Sequence, residues 1–159
     1  MKSTKFAKIF GSGPVGLVIS VFLLMVAVWA NRRFDLPQIS DNQSVLNVIF
    51  YISIFFTVVA IIWSFKSLPA TDRGNNLCTK GAFKYVSHPL YAAFLTIFDF
   101  GLAFYLNGYI FILWAALLHP IWHYLIKYEE QLMINIFGKK YLDYRKQTGR
   151  FFPRLIIKK

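Results

Sequence analysis

Charge is scarce in this chain, and acidic charge scarcer still. Asp, Glu, Lys and Arg together make up 16% of the 159 residues, with seven acids against 18 bases. Cys78 is the only cysteine, so no intramolecular disulfide can form. There are no internal repeats and no low-complexity tracts. So little charge beside 57% hydrophobic and 19% aromatic residues excludes an ordinary soluble domain and points to a membrane protein.

Four apolar stretches reach or approach the roughly 20 residues that cross about 30 Å of hydrocarbon as a helix. They are Ile9 to Ala30, Ser44 to Phe65, Pro89 to Asn107 and Tyr109 to Ile126. Between the last two, Leu106-Asn107-Gly108-Tyr109 carries a turn signal and no charge, which predicts a tight antiparallel hairpin. The first stretch also has signal-peptide features, with Lys2, Lys5 and Lys8 before it and Val28-Trp29-Ala30 at its end. Its apolar run exceeds the usual signal core of about 7–15 residues.

The position of the bases decides what the net charge of +11 means. With sides numbered alternately, sixteen Lys and Arg fall on one side and only Arg32 and Arg33 on the other. Both termini and the loop 66–88 are therefore expected in the cytoplasm. A basic face beside anionic headgroups accounts for the charge without nucleic acid. The expected location is a bacterial inner membrane.

Polar segments are few, and chemistry should be sought there. Pro69, Asp72-Arg73-Gly74-Asn75-Asn76 and Gly81 favour an irregular loop that ends at Pro89, a good first residue for the third span. From Lys127 to about Gln147, Met133, Phe137, Tyr141 and Tyr144 recur at helical spacing, which predicts one amphipathic helix at the interface. His119, His123 and Glu130 fall near one helical face, but no cysteine or further acid completes a metal-ligand set, so none is expected. Asp99 lies near the middle of the third span. A lipid-facing charge is costly there, so Asp99 should face the interior or be protonated, either in catalysis or in a hydrogen bond to another span. On composition alone, Arg150 and Arg154 read as headgroup contacts.

Two spaced motifs carry a resemblance. Gly81-Ala82-Phe83-Lys84-Tyr85-Val86-Ser87-His88-Pro89-Leu90-Tyr91 is similar to the G-x-Y-x-x-x-R-H-P-x-Y pattern of the isoprenylcysteine carboxyl methyltransferase and phospholipid methyltransferase superfamily. About forty residues on, Glu129-Glu130, Met133, Phe137-Gly138, Tyr141, Tyr144 and Arg150-Phe151-Phe152-Pro153 resemble its E-E-x-x-L-x-x-x-F-G-x-x-Y-x-x-Y with a closing R-x-x-P. The likeness covers roughly residues 68 to 155. Three positions depart from the pattern: Ser87 replaces an arginine, Phe83 a tyrosine, and Ala93 a glycine. The first change removes a fixed cation that could pair with a substrate carboxylate or phosphate.

The apolar stretches and the periodicity predict an all-α membrane bundle of four transmembrane helices and a C-terminal cytoplasmic amphipathic helix, with residues 1–159 as a single domain; the resemblance supplies the activity expected of it. That resemblance implies methyl transfer from S-adenosylmethionine to a lipophilic or lipid-linked acceptor among membrane lipids, in a site made by 66–88 and 127–159. His88, Tyr91, Glu129, Glu130, Tyr141 and Tyr144 become cofactor-binding candidates, Ser87 and Arg150 substrate-binding candidates, and His88 and Asp99 catalytic candidates. The carboxylates suit an ammonium and a histidine suits a carboxylate, while aromatic faces suit a sulfonium. Two other readings remain open: a nicotinamide-dependent membrane reductase with a similar helical core, and a non-enzymatic membrane protein.

Overall fold

A computed structural model describes residues 12–68 and 76–154. The N-terminal lysines and the stretch 69–75, with Pro69 and Asp72 to Asn75, lie outside them. The described residues are all helical apart from turns and one isolated backbone bridge. Helix α1 spans Gly13–Phe34 and α2 spans Gln43–Ser67. Helix α3, Pro89–Tyr105, starts at the expected proline. Helices α4, Tyr109–Leu125, α5, Lys127–Phe137, and α6, Lys139–Gln147, complete the chain.

Among the described residues, three stretches are long and apolar enough to cross a membrane: α1, α2, and the 29 residues from Tyr109 to Phe137 that join α4 to α5. Helix α3 is apolar but has only 17 residues, about 26 Å at 1.5 Å per residue. Large apolar side chains such as Leu17, Phe22, Tyr51 and Phe55 stand mostly exposed on α1 and α2, a surface that calls for lipid rather than water. Between helices the chain uses small residues, as membrane bundles do. A Cβ at Gly16 would collide with the Trp122 ring and one at Gly101 with the Ser53 side chain, so the backbone of α1 lies directly against a side chain of α4, and that of α3 against a side chain of α2. Thr57 and Ser64 are buried and return their hydroxyl protons to the carbonyls of Ser53 and Ala60, at 2.7 Å each.

The expected hairpin is present between α3 and α4. Asn107 takes the left-handed conformation (φ 53°), which asparagine tolerates better than most residues. Its Oδ1 accepts from the amides of Ile39 and Ser40, and its Nδ2 donates to the carbonyl of Ser40. This binds the hairpin to the α1–α2 turn, at the same end as Arg32 and Arg33. Ser12, His88 and the C-terminal segment gather at the opposite end.

One expectation needs correction. The amphipathic helix from Lys127 to Gln147 is not continuous, because Gly138 adopts φ 56°, ψ −129°, a region essentially reserved for glycine. The chain bends there into α5 and α6. A second irregularity was not anticipated: Ala93–Phe98, inside α3, forms a π-helical segment. The widened turn takes in one extra residue.

Candidate active site

The C-terminal segment folds back on the start of α3. Thr148 ends α6, and residues 149–150 then run parallel to 86–88, where the amides of Ser87 and His88 donate to the carbonyls of Gly149 and Arg150 at 2.8 and 3.1 Å. The Tyr144 hydroxyl donates to the carbonyl of Phe83 at 2.6 Å, closing α6 over the turn 81–84. Burial pushes the Tyr144 phenol up to about 12. Burial and the nearby Glu130 charge raise the Tyr141 phenol as well.

This fold-back makes Glu130 the centre of an ion cluster. The residue is 8% exposed. Arg150 holds both oxygens in a fork, Nε to Oε1 at 3.1 Å and a terminal nitrogen to Oε2 at 2.6 Å. Arg145 adds Nε to Oε1 at 2.8 Å. Fork geometry of this kind fixes orientation as well as charge. Glu130 therefore has two resident cations, a different employment from the ammonium binding expected of it.

Glu129 is less fully engaged. Its Oε1 accepts from the Tyr91 hydroxyl at 2.9 Å and from the backbone amide of Ser12, at the start of α1. Its Oε2 faces His88, with Nδ1 at 3.9 Å. The other ring nitrogen of His88, Nε2, lies 3.8 Å from Glu130 Oε1, too far for a hydrogen bond. That nitrogen is buried without a hydrogen-bond partner. The His88 ring stacks on Tyr91, with centroids 5.7 Å apart and planes 14° from parallel. Thus the histidine ahead of α3 and the paired acids past α4 meet at one place.

Around this point lies a cavity of about 200 Å³, walled by Ser87, His88, Tyr91 and Glu129 on one side and by Met133, Phe137, Tyr141 and Tyr144 on the other. The aromatic stripe read from the sequence converges here because the bend at Gly138 turns α6 toward α5 and the loop. Its polar groups fit a cofactor with ammonium, carboxylate and aromatic parts: Glu129 Oε2, which accepts no hydrogen bond from the described residues, the buried Nε2 of His88, likewise without one, and ring faces opposite. The volume is below the roughly 300 Å³ at the small end of ligand sites, so a nucleoside needs the walls to part.

Arg150 also reaches the outer side of the Glu130 cluster. It lines a shallower cleft of about 430 Å³ with His123, Arg145, Phe152 and Arg154. Asp99 is not brought to His88. It lines a separate cavity deeper in the bundle, eight residues and about 12 Å along the helix from Tyr91. His119 stacks on Phe152 (5.3 Å), and His123 Nδ1 bonds the carbonyl of His119 at 2.9 Å. Among the described residues no three His, Cys, Asp or Glu side chains are placed to share a metal.

Two participants escaped the sequence reading. Arg145 reaches Glu130 and also comes within 3.4 Å of the Ser87 hydroxyl, placing a guanidinium beside the position where the resembled pattern has arginine. Its signal was an arginine four residues after Tyr141, on the tyrosine face. Ser12 had no local signal, since its role comes from how α1 docks.

Residues 42–140 match the phospholipid methyltransferase family, from the start of α2 to the beginning of α6. The match spans well over half of the chain. The protein belongs to this family, and so to the superfamily of integral membrane methyltransferases that both motifs resemble. The chain matches no curated protein and no solved structure at a significant level.

Proposed function

We propose that the protein transfers a methyl group from S-adenosylmethionine to a lipophilic acceptor at the cytoplasmic side of the membrane. In this reading α3 is a fourth span and both termini face the cytoplasm, as the distribution of basic residues favours. The observation that carries it is the meeting of His88 with Glu129 and Glu130 beside an aromatic-walled cavity, within a chain of a methyltransferase family.

When bound, S-adenosylmethionine would supply an electrophilic methyl group on a sulfonium, whose sulfur departs as a neutral thioether. The chain's own task is mainly alignment and exclusion of water. Glu129 Oε2 receives an ammonium, held in position by Tyr91 and the Ser12 amide. His88 offers its unsatisfied Nε2 as donor to a carboxylate or as acceptor for an acceptor proton. Tyr141 and Phe137 present ring faces, each worth about 0.5–2 kcal/mol to a cation. Glu130 acts at one remove, fixing Arg145 and Arg150 and through them the segment that closes the cavity.

Calorimetry on the detergent-purified protein tests the reading. S-adenosylhomocysteine should bind, with His88→Ala weakening it about tenfold, near 1.4 kcal/mol. Binding of NADPH instead would favour the reductase alternative. Binding of neither would favour a non-enzymatic protein.

A further inference from the structure

A second cavity, of about 320 Å³, lies inside the bundle between α1 and α3 and is backed by Trp114 and Trp122 of α4. It exists because α1 packs on α4 and not closely on α3, which leaves a cleft facing the lipid. Leu17 and Val21 of α1 and Phe94 of α3 flank it and are 42–62% exposed, so hydrocarbon can reach it sideways. The cavity and the polar site share Leu90 and Tyr91 as a common wall.

Its polar groups are few, and all but one are engaged. The Ser20 hydroxyl donates to the carbonyl of Gly16 and accepts from Trp122 Nε1, the Ser20 carbonyl accepts from Trp114 Nε1, and the Tyr91 hydroxyl donates to Glu129. Asp99 is the exception. It is 9% exposed, lines the cavity, and makes no hydrogen bond or ion pair with the described residues. A buried carboxyl without a partner is costly. An ordered water needs two to four polar partners, and apart from Asp99 the polar groups of these walls already have theirs. The π-helical segment Ala93–Phe98 explains why Asp99 is here at all. Two regular turns take about 7.2 residues and the widened turn about one more, so Tyr91 and Asp99, eight apart, fall on one face.

We propose that this cavity holds a lipophilic molecule bearing a hydroxyl, an aliphatic alcohol or a phenol, whose O–H bonds to Asp99 while its apolar body fills the space between α1 and α3. A hydroxyl both donates and accepts, so it satisfies a carboxyl whether or not that carboxyl is ionised. A bare acyl chain would leave Asp99 unsatisfied. On the methyltransferase reading this molecule is the acceptor, with its reactive end at the Tyr91 wall and its hydroxyl about two turns deeper. Asp99 is then a specificity residue.

The test uses the full chain in dodecyl maltoside with Trp29→Phe and Trp63→Phe, which leaves only the two cavity tryptophans. Their fluorescence is titrated with 11-bromoundecan-1-ol and with 1-bromoundecane. The alcohol should half-quench at a concentration about fivefold lower than the alkane, and Asp99→Leu should abolish that difference. Asp99→Asn, which keeps a carbonyl acceptor and the side-chain shape, should retain part of it and serves if the leucine variant does not fold. Equal quenching by both probes in the parent, or a preference unchanged in Asp99→Leu, overturns the proposal. S-adenosylhomocysteine binding is measured on the same samples. An Asp99-dependent preference without cofactor binding would leave the cavity assignment standing and reject the methyltransferase reading. Cofactor binding without the preference would do the reverse.

Discussion

Arg150 grips Glu130 with a two-point fork across twenty residues of sequence, at 3.1 and 2.6 Å, and the same arginine's carbonyl accepts the backbone proton of His88. One residue thus couples the acidic cluster to the histidine. Breaking a buried ion pair by neutralising one partner costs about 3 kcal/mol or more. Glu130→Gln should therefore loosen the C-terminal segment and not merely remove a charge. Hydrogen exchange at the Ser87 and His88 amides should accelerate, while amides in α2 should stay unchanged.

Arg145 stands beside Ser87, where the resembled motif has its own arginine. If the cation matters more than its point of attachment, Arg145→Ser should weaken S-adenosylhomocysteine binding about tenfold, near 1.4 kcal/mol. Ser87→Arg in that background should recover part of the loss. Titration calorimetry on the single and double variants checks both, and no recovery would indicate that Arg145 serves Glu130 alone.

Alkaline pH should open the turn 81–84. Burial lifts the folded-state phenol of Tyr144 from 10.0 to about 12. Its contribution is therefore fully present below pH about 10 and lost as pH rises toward 12. Tyr144→Phe should lack this alkaline transition and, at neutral pH, should lose about 1 kcal/mol for the hydrogen bond to Phe83. Thermal unfolding of the two proteins between pH 9 and about 12 separates these effects.

Gly138 tests the bend. A Cβ there meets no atom within 4 Å, so Gly138→Ala probes backbone conformation and not crowding. The expected cost is about 1–3 kcal/mol, seen as a lower thermal midpoint. Cofactor affinity should fall with it, because α6 carries Tyr141 and Tyr144 to the cavity.

What could be read before the structure follows from which forces are local. Apolar length announces α1, α2 and α4 directly, and Asn107-Gly108 announces the hairpin. The motifs marked His88, Glu129 and Glu130, and these meet. The bend at Gly138 was hidden because a lone glycine between helical patterns is compatible with a continuous helix until its φ is known. The π segment was hidden because Ala93–Phe98 carries no residue that demands it. The partners of Glu130 could not be derived, since Arg145 carried no signal beyond its helical spacing and Arg150 looks like a headgroup or substrate contact until the chain folds back. Similarly, Asp99 invited a catalytic role by its depth, yet depth alone does not say that it faces a cavity apart from His88.

The most direct measurement of methyl transfer compares lipid extracts from cells expressing the protein or its His88→Ala variant, grown on methionine with a deuterated methyl group. A lipophilic species carrying that methyl should appear with the unaltered protein and be strongly diminished with the variant. No such species, or one equally abundant in both, would contradict the proposed transfer.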